Sequence, residues 1–214
     1  MPRRATPLLP GNYYHIYNRG NNHTTVFFDD DNYAFFLRRI REYLVESTPR
    51  LPNSPRLPNS LGIRKSEPPL PRATIVAYCL MPNHFHLLVQ PKDQVLSRSM
   101  QKLIISYTKA TNQRCDRVGA LFQGAFQAKR VDRDEYLIHL TCYIHLNPVS
   151  AGFVKRPEDW VYSSYLDYIG QRDGTLPDPS VVLSQFSSRS AYRQAVESFL
   201  PSATRGIAHL LIDE

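Results

Sequence analysis

The chain has 214 residues, of which 42% are hydrophobic and 11% aromatic, enough for one domain of ordinary size with a buried core. Lys and Arg number 26 against 19 Asp and Glu, giving a net charge of +7 and a pI near 9.4, a balance that suits a polyanionic partner such as nucleic acid or, more plainly, a basic soluble protein. Cys79, Cys115 and Cys142 form no CxxC pair, which excludes a zinc knuckle or a disulfide framework, and no apolar run approaches the ~20 residues of a bilayer span.

Thirteen tyrosines against one tryptophan tilt the aromatic content toward side chains with both a stacking face and a hydroxyl. The basic start, Met1-Pro2-Arg3-Arg4, is followed by no apolar stretch of signal-peptide length, so a cytoplasmic protein with reduced, buried cysteines and no membrane association is expected. Asn12 to Asn18 alternates as a short strand, with Tyr13, His15 and Tyr17 on one face and Tyr14 and Ile16 on the other. After a turn at Gly20-Asn21-Asn22, Asp29 to Asp31 are placed to cap a helix carrying Tyr33, Phe36, Leu37, Ile40 and Leu44 at helical spacing. Residues 48–72 break the pattern. They are dense in proline, and Pro49–Ser54 recurs at Pro55–Ser60, so an exposed, mobile insertion is expected.

Thr74 to Leu80 is rich in β-formers, Met81-Pro82-Asn83 has turn chemistry, and His84 to Gln90 completes a hairpin. From Val95 to Arg114 the set Leu96, Met100, Leu103, Ile104 and Tyr107 has helical period, with Arg98, Lys102 and Lys109 as a basic stripe on another face. Arg117 to Arg130 reads as a loop with a short strand. Asp132 to Glu135 has a helix-start signature, and the helix should end near Leu146, because Pro148 disfavours helical geometry at Asn147. Strands interleaved with helices around an antiparallel hairpin predict an α+β domain. Beyond Trp160 one or two short helices are expected, residues 171–214 forming a C-terminal extension to a domain at 1–170.

Two constellations carry chemistry. His84 and His86, at i and i+2 of a strand, project to one side and can chelate one divalent ion, although two histidines packed on a sheet would look the same. His139, Tyr143 and Asn147, spaced by four, share a helix face. Tyr143 offers a phenolic nucleophile and Asn147 a carbonyl oxygen that completes a three-ligand site, leaving positions open for phosphate oxygens. His145 points elsewhere on this helix, and His139 has the right face but no assigned role.

Met-Pro-Asn-His-Phe-His at 81–86, Leu-Phe-Gln-Gly at 121–124 and Tyr-Ile-His-Leu-Asn-Pro-Val at 143–149 together resemble the REP-associated tyrosine transposases, members of the HUH single-strand endonucleases. The resemblance spans residues 12–170, from Tyr14-His15-Ile16-Tyr17-Asn18-Arg19-Gly20 to Trp160 and Ser163-Ser164-Tyr165. It implies a ferredoxin-like HUH fold, a central antiparallel sheet with helices on one side and the HxH strand facing the tyrosine helix. It also implies Tyr143 as the nucleophile, with His84, His86 and Asn147 as ligands of Mg²⁺ or Mn²⁺. The DNA would be a single-stranded palindromic hairpin of REP type, bound by a monomer or homodimer associated with the nucleoid. Charge placement and aromatic content nominate Arg98, Lys102, Lys109, Arg117, Lys129 and Arg130 for the backbone, with Phe122 and Phe126 for base stacking. Ala125 stands where the family often has a basic residue, and the 48–72 segment is longer than expected. The rival functions are a DNA-hairpin-binding regulator that does not cut and a hydrolase using metal-activated water, although no HExxH motif is present.

Overall fold

A computed structural model describes residues 7–46 and 71–199. Apart from Pro71 and Arg72, the expected insertion at 48–72 lies outside the described residues, as does the end of the extension from residue 200. Six elements alternate first as β1 (Tyr13–Arg19), α1 (Asp30–Ile40), β2 (Ala73–Met81), β3 (His84–Pro91), α2 (Leu96–Arg114) and β4 (Gln127–Val131). Every pairing is antiparallel, in the order β2-β3-β1-β4. This is the βαββαβ arrangement of a ferredoxin-like domain, as expected. Then come α3 (Asp134–Ser150) and the short helices α4 (Tyr165–Tyr168), α5 (Ser180–Leu183) and α6 (Arg189–Glu197).

The alternation of β1 decides the layers. Tyr14 and Ile16 enter one core with Phe85, Leu87 and Val89 of β3, covered by Phe36 and Ile40 of α1 and by Met100, Leu103 and Tyr107 of α2. Asp29 caps α1 by accepting the Asn32 N–H at 3.0 Å. The helix then widens into one turn over Arg41–Val45 that buries Leu44.

The opposite face is also covered, which corrects the expectation of helices on one side. Leu88 of β3 and Ala77, Cys79 and Met81 of β2 pack against Leu137, Leu140 and Ile144 of α3, joined by Val182, Tyr192 and Val196. Both faces of the inner strands β1 and β3 are buried, which one helical layer could not achieve. Val182, Tyr192 and Val196 of the C-terminal segment thus belong to this second core.

Two further expectations shift. α3 begins at Asp134, with no side chain capping it, and runs through Pro148 to Ser150. The proline forfeits one backbone hydrogen bond, but its ring and Asn147 are buried and the helix continues for a last turn, closed by the Ala151 N–H on Asn147 O at 2.9 Å. Cys115 is only half-buried, whereas Cys79 and Cys142 are buried thiols as expected.

Two braces position the HxH strand. The Pro82-Asn83 turn receives the Val26 and Phe27 N–H groups on Pro82 O (2.8 and 3.0 Å) and the Gly20 N–H on Asn83 O (2.7 Å). Gly20 has no substitute here, because a Cβ would lie 2.0 Å from Thr24 O. The outer edge of β2 is covered by Trp160 to Ser164. Trp160 Nε1 donates to Leu80 O at 3.0 Å, Leu80 N to Tyr162 O, and Ser164 N to Tyr78 O. The Trp160 to Tyr165 stretch therefore closes a sheet edge that would otherwise be open to pairing. Among the described residues, no helix is long and apolar enough to cross a membrane.

Candidate active site

The sheet–helix seam gathers four of the nominated residues. α3 runs antiparallel to β3, so Asn147 meets His84 and Tyr143 meets His86. One helical turn rises about 5.4 Å and two strand residues about 6.7 Å, and this near match lets an i, i+4 pair address an i, i+2 pair. His84 Nε2 lies 3.2 Å from Asn147 Oδ1. The Tyr143 ring stands edge-on to His86 with centroids 5.6 Å apart, and the two histidine rings are perpendicular at 4.9 Å. A single chain thus brings nucleophile candidate and ligand candidates together.

Burial sets the protonation of both imidazoles. Desolvation, followed by the positive charge of Arg19, pulls the His84 pKa down to about 4, partly offset by the Asn147 contact. His86 is completely buried and is held well below the usual range, first by desolvation and then by His84, His15 and Arg19. Both rings are neutral at physiological pH, the form that binds metal. His84 Nδ1 lies 2.6 Å from Asn83 Oδ1 and Nε2 3.2 Å from Asn147 Oδ1; the neutral ring donates to one of these oxygens, and donation to Asn83 frees Nε2 as a lone pair for a cation shared with Asn147 Oδ1. His86 Nε2 is buried and has no hydrogen-bond partner among the described groups. Two imidazole nitrogens and an amide oxygen, all electron-pair donors in one seam, are a donor set that fits a divalent cation. Among the described residues, no group of three or more His, Cys, Asp or Glu side chains is placed to hold one.

The other nominated residues scatter. Lys129 faces the seam: it is opposite His15 in register, and its Nζ lies 5.6 Å from the Tyr17 ring. Arg130 is exposed and, as the next residue of β4, points to the other side. Arg98, Lys102 and Lys109 are exposed as expected, but on α2, which covers the face opposite the seam. Arg117 holds its guanidinium 5.7 Å from the Phe28 ring. Phe122 and Phe126 correct the stacking expectation. They are 3% and 5% exposed, and Phe122 packs edge-on to Phe85, so neither offers a face to a base. Their motif instead straps the end of β1, with Gln123 N donating to Arg19 O, Asn21 N to Leu121 O and Asn18 Nδ2 to Gly124 O.

Sequence reasoning left three residues without roles. Arg19 is the cross-strand partner of His84 and brings a cation to the seam. His15 is fully buried and touches His86 through Nε2–Nδ1 at 2.9 Å. His145, also fully buried, has both nitrogens engaged. Tyr192 Oη donates to Nδ1 at 2.6 Å, and Nε2–H donates to Ser164 Oγ at 2.8 Å. Strand alternation could have placed His15 and Arg19 on the HxH face, but the pairing register could not be read from the chain alone. His139 contacts Phe199, with ring centroids 5.8 Å apart.

The βαββαβ sheet carries HxH opposite a Tyr-x-x-x-Asn helix, and residues 71–147 match the family model "Transposase IS200 like". That stretch runs from the start of β2 to Asn147 and contains all four seam residues. More narrowly, the chain is 30% identical over 101 residues to a Haemophilus influenzae relative described as a REP-associated tyrosine transposase. The match covers 42% of this chain and 57% of that relative. The fold matches a solved structure of a REP-associated tyrosine transposase bound to a REP hairpin, with a TM-score of 0.56 at 14% identity, over 83% of this chain and 98% of that one. The resemblance to REP-associated tyrosine transposases therefore holds in sequence and in fold.

Proposed function

We propose that this protein is a metal-dependent endonuclease and transposase of single-stranded DNA that cuts and rejoins strands beside hairpin repeats. The observation that carries this reading is the double pairing across the seam, Tyr143 on His86 and Asn147 on His84. The similarity to a transposase solved with a REP hairpin supports the partner class.

His84 Nε2, His86 Nε2 and Asn147 Oδ1 are the atoms that would hold Mg²⁺ or Mn²⁺. Two imidazoles suit Mn²⁺ in affinity, and cellular abundance favours Mg²⁺. The bound ion supplies positive charge that polarises a non-bridging phosphate oxygen. Arg19, beside His84, adds guanidinium donors for the same phosphate. Tyr143 gives up its phenolic proton as Oη attacks phosphorus in line, the bond from phosphorus to the 3′ oxygen breaks, and that oxygen takes up one proton and leaves as a hydroxyl, so protons balance. The product is a 5′-phosphotyrosine. Attack by another 3′-hydroxyl reverses the step and rejoins DNA without ATP, since the number of phosphate esters is conserved. Lys129 extends the cationic lining of the seam, and the α2 stripe is left to grip a hairpin stem on the far side of the sheet. With such a partner the protein would act at the nucleoid.

The test is a labelled single-stranded hairpin with a flanking single-stranded tag, incubated with protein and Mn²⁺ and then denatured. A covalent protein–DNA band that disappears in Tyr143→Phe is expected. Cleavage that survives the substitution would instead identify a hydrolase, and binding without cleavage a regulator.

A further inference from the structure

His15 on β1 and His86 on β3 are both completely buried on the seam face of the sheet. Their rings are nearly parallel, inclined by 17° with centroids 5.1 Å apart, and His15 Nε2 lies 2.9 Å from His86 Nδ1. One proton occupies that contact. Its position decides what the far end of His86 can do.

If the proton belongs to His15, a neutral His86 must carry its own on Nε2. That N–H would be a buried donor with no acceptor among the described groups, an arrangement folded proteins rarely keep, and Nε2 would have no lone pair for a cation. If the proton belongs to His86 Nδ1, Nε2 becomes a lone pair in the seam, beside the rings of His84 and Tyr143.

We infer that His15 is a positioning residue for the metal centre. By accepting the Nδ1–H of His86 at its own Nε2, it fixes the tautomer and ring orientation that turn His86 Nε2 into a ligand. The inference rests on the proposed metal site, and it adds a residue to which no role was assigned. The sheet makes the positioning effective, because His15 and His86 are same-face diagonal neighbours on adjacent strands, two residues out of register, with Tyr17 directly opposite His86. Partners of this kind behind a metal-binding histidine typically change metal affinity 10–100-fold when removed.

The first measurement needs no variant. Long-range ¹⁵N–¹H correlation spectra of the metal-free protein report the His86 tautomer, and the Nδ1–H form is expected; the Nε2–H form overturns the inference. The second is Mn²⁺ titration followed by electron paramagnetic resonance for wild type, His15→Phe, His15→Gln and His86→Ala, each checked by thermal unfolding. His15→Phe keeps a flat ring but removes the acceptor, so affinity should fall roughly 10–100-fold. His15→Gln supplies an amide oxygen that can accept and should recover most of the loss, which a merely space-filling role would not produce. If His15→Phe binds within about twofold of wild type while His86→Ala loses binding, the inference fails and the metal site stands. If His86→Ala also binds like wild type, the metal-site reading fails, and the tautomer spectrum alone still decides whether His15 sets His86. Should His15→Phe not fold, the wild-type tautomer and the His15→Gln titration decide the question.

Discussion

His86 and His145 are both completely buried, and both are kept neutral by desolvation, yet they differ in what their nitrogens touch. His145 satisfies both, clamping α6 through Tyr192 and the β2 edge segment through Ser164, whose hydroxyl also accepts the Tyr78 N–H at 2.9 Å. His86 satisfies one and leaves Nε2 bare beside Tyr143. A fully engaged buried imidazole is a fastener, whereas a half-engaged one costs stability that function must justify. His145 therefore marks the face of α3 that holds the fold, and Tyr143, beside His86 of β3, marks the face proposed for chemistry.

Substitutions should separate those faces, beginning where the effect is largest. Tyr143→Phe removes one oxygen at the seam and should reduce the covalent protein–DNA adduct to background, while the thermal midpoint moves by no more than about 2 °C, as for a change of well under 1 kcal/mol. An adduct of wild-type yield would break the assignment of Tyr143 as nucleophile. His145→Ala should do the reverse. Losing two buried hydrogen bonds and opening a cavity should cost about 2–4 kcal/mol in denaturant melts. Mn²⁺ affinity at 10 °C, where the folded state still dominates, should stay within a few-fold. A variant that kept its stability but lost its metal would erase the distinction. Arg19→Gln comes next, with an expected loss of about 10–100-fold in cleavage rate, the size of one missing charge-assisted hydrogen bond to a phosphate (about 1.5–3 kcal/mol).

The fold was largely legible because its signals were local. The alternation of β1, the hairpin turn at Pro82-Asn83 and the helical set from Leu96 to Tyr107 each follow from spacing within a dozen residues. The four seam residues were legible too, because i, i+2 and i, i+4 are periodicities that a chain displays openly. What stayed hidden depended on contacts between distant segments. His15 meets His86 across 71 positions of sequence, and Tyr192 reaches His145 across 47. Phe122 and Phe126 looked like stacking platforms because composition cannot tell a basic loop from a strap that pins its aromatics beneath β1. Pro148 misled in the opposite direction, since tertiary burial of α3's last turn outweighed the local preference against a helical Asn147.

Acid sharpens the same comparison. His145 has a folded pKa of about 3 against an ordinary value of 6.5, so the unfolded chain binds more protons between those limits. Its neutral, bonded form contributes stability that is fully present above pH 6.5 and is lost as pH falls toward 3. His84, lowered to about 4, and His86, lowered further, act with the same sign. Melting midpoints of the metal-free protein should therefore decline below about pH 6.5. His145→Gln should flatten that decline in part, with the seam pair supplying the remainder. An unchanged slope in the variant would mean that His145 is not buried neutral.

The smallest effect expected is on the far face. Arg98, Lys102 and Lys109 are exposed on α2, and the sheet separates them from Tyr143 and so from the proposed cleavage site. If the hairpin stem wraps to that side, they contribute only backbone neutralisation. Lys102→Glu with Lys109→Glu should then weaken hairpin binding uniformly across sequences and lower the slope of log affinity against log salt by about 1 for each phosphate left without its cation. The cleavage rate at saturating DNA should not change, because the chemistry lies on the other side of the sheet. An unaltered affinity and salt slope would confine DNA to the seam face, where Lys129 and Arg19 supply the positive charge. A lower cleavage rate at saturation would show instead that the α2 face communicates with Tyr143 through β3, the strand that both layers share.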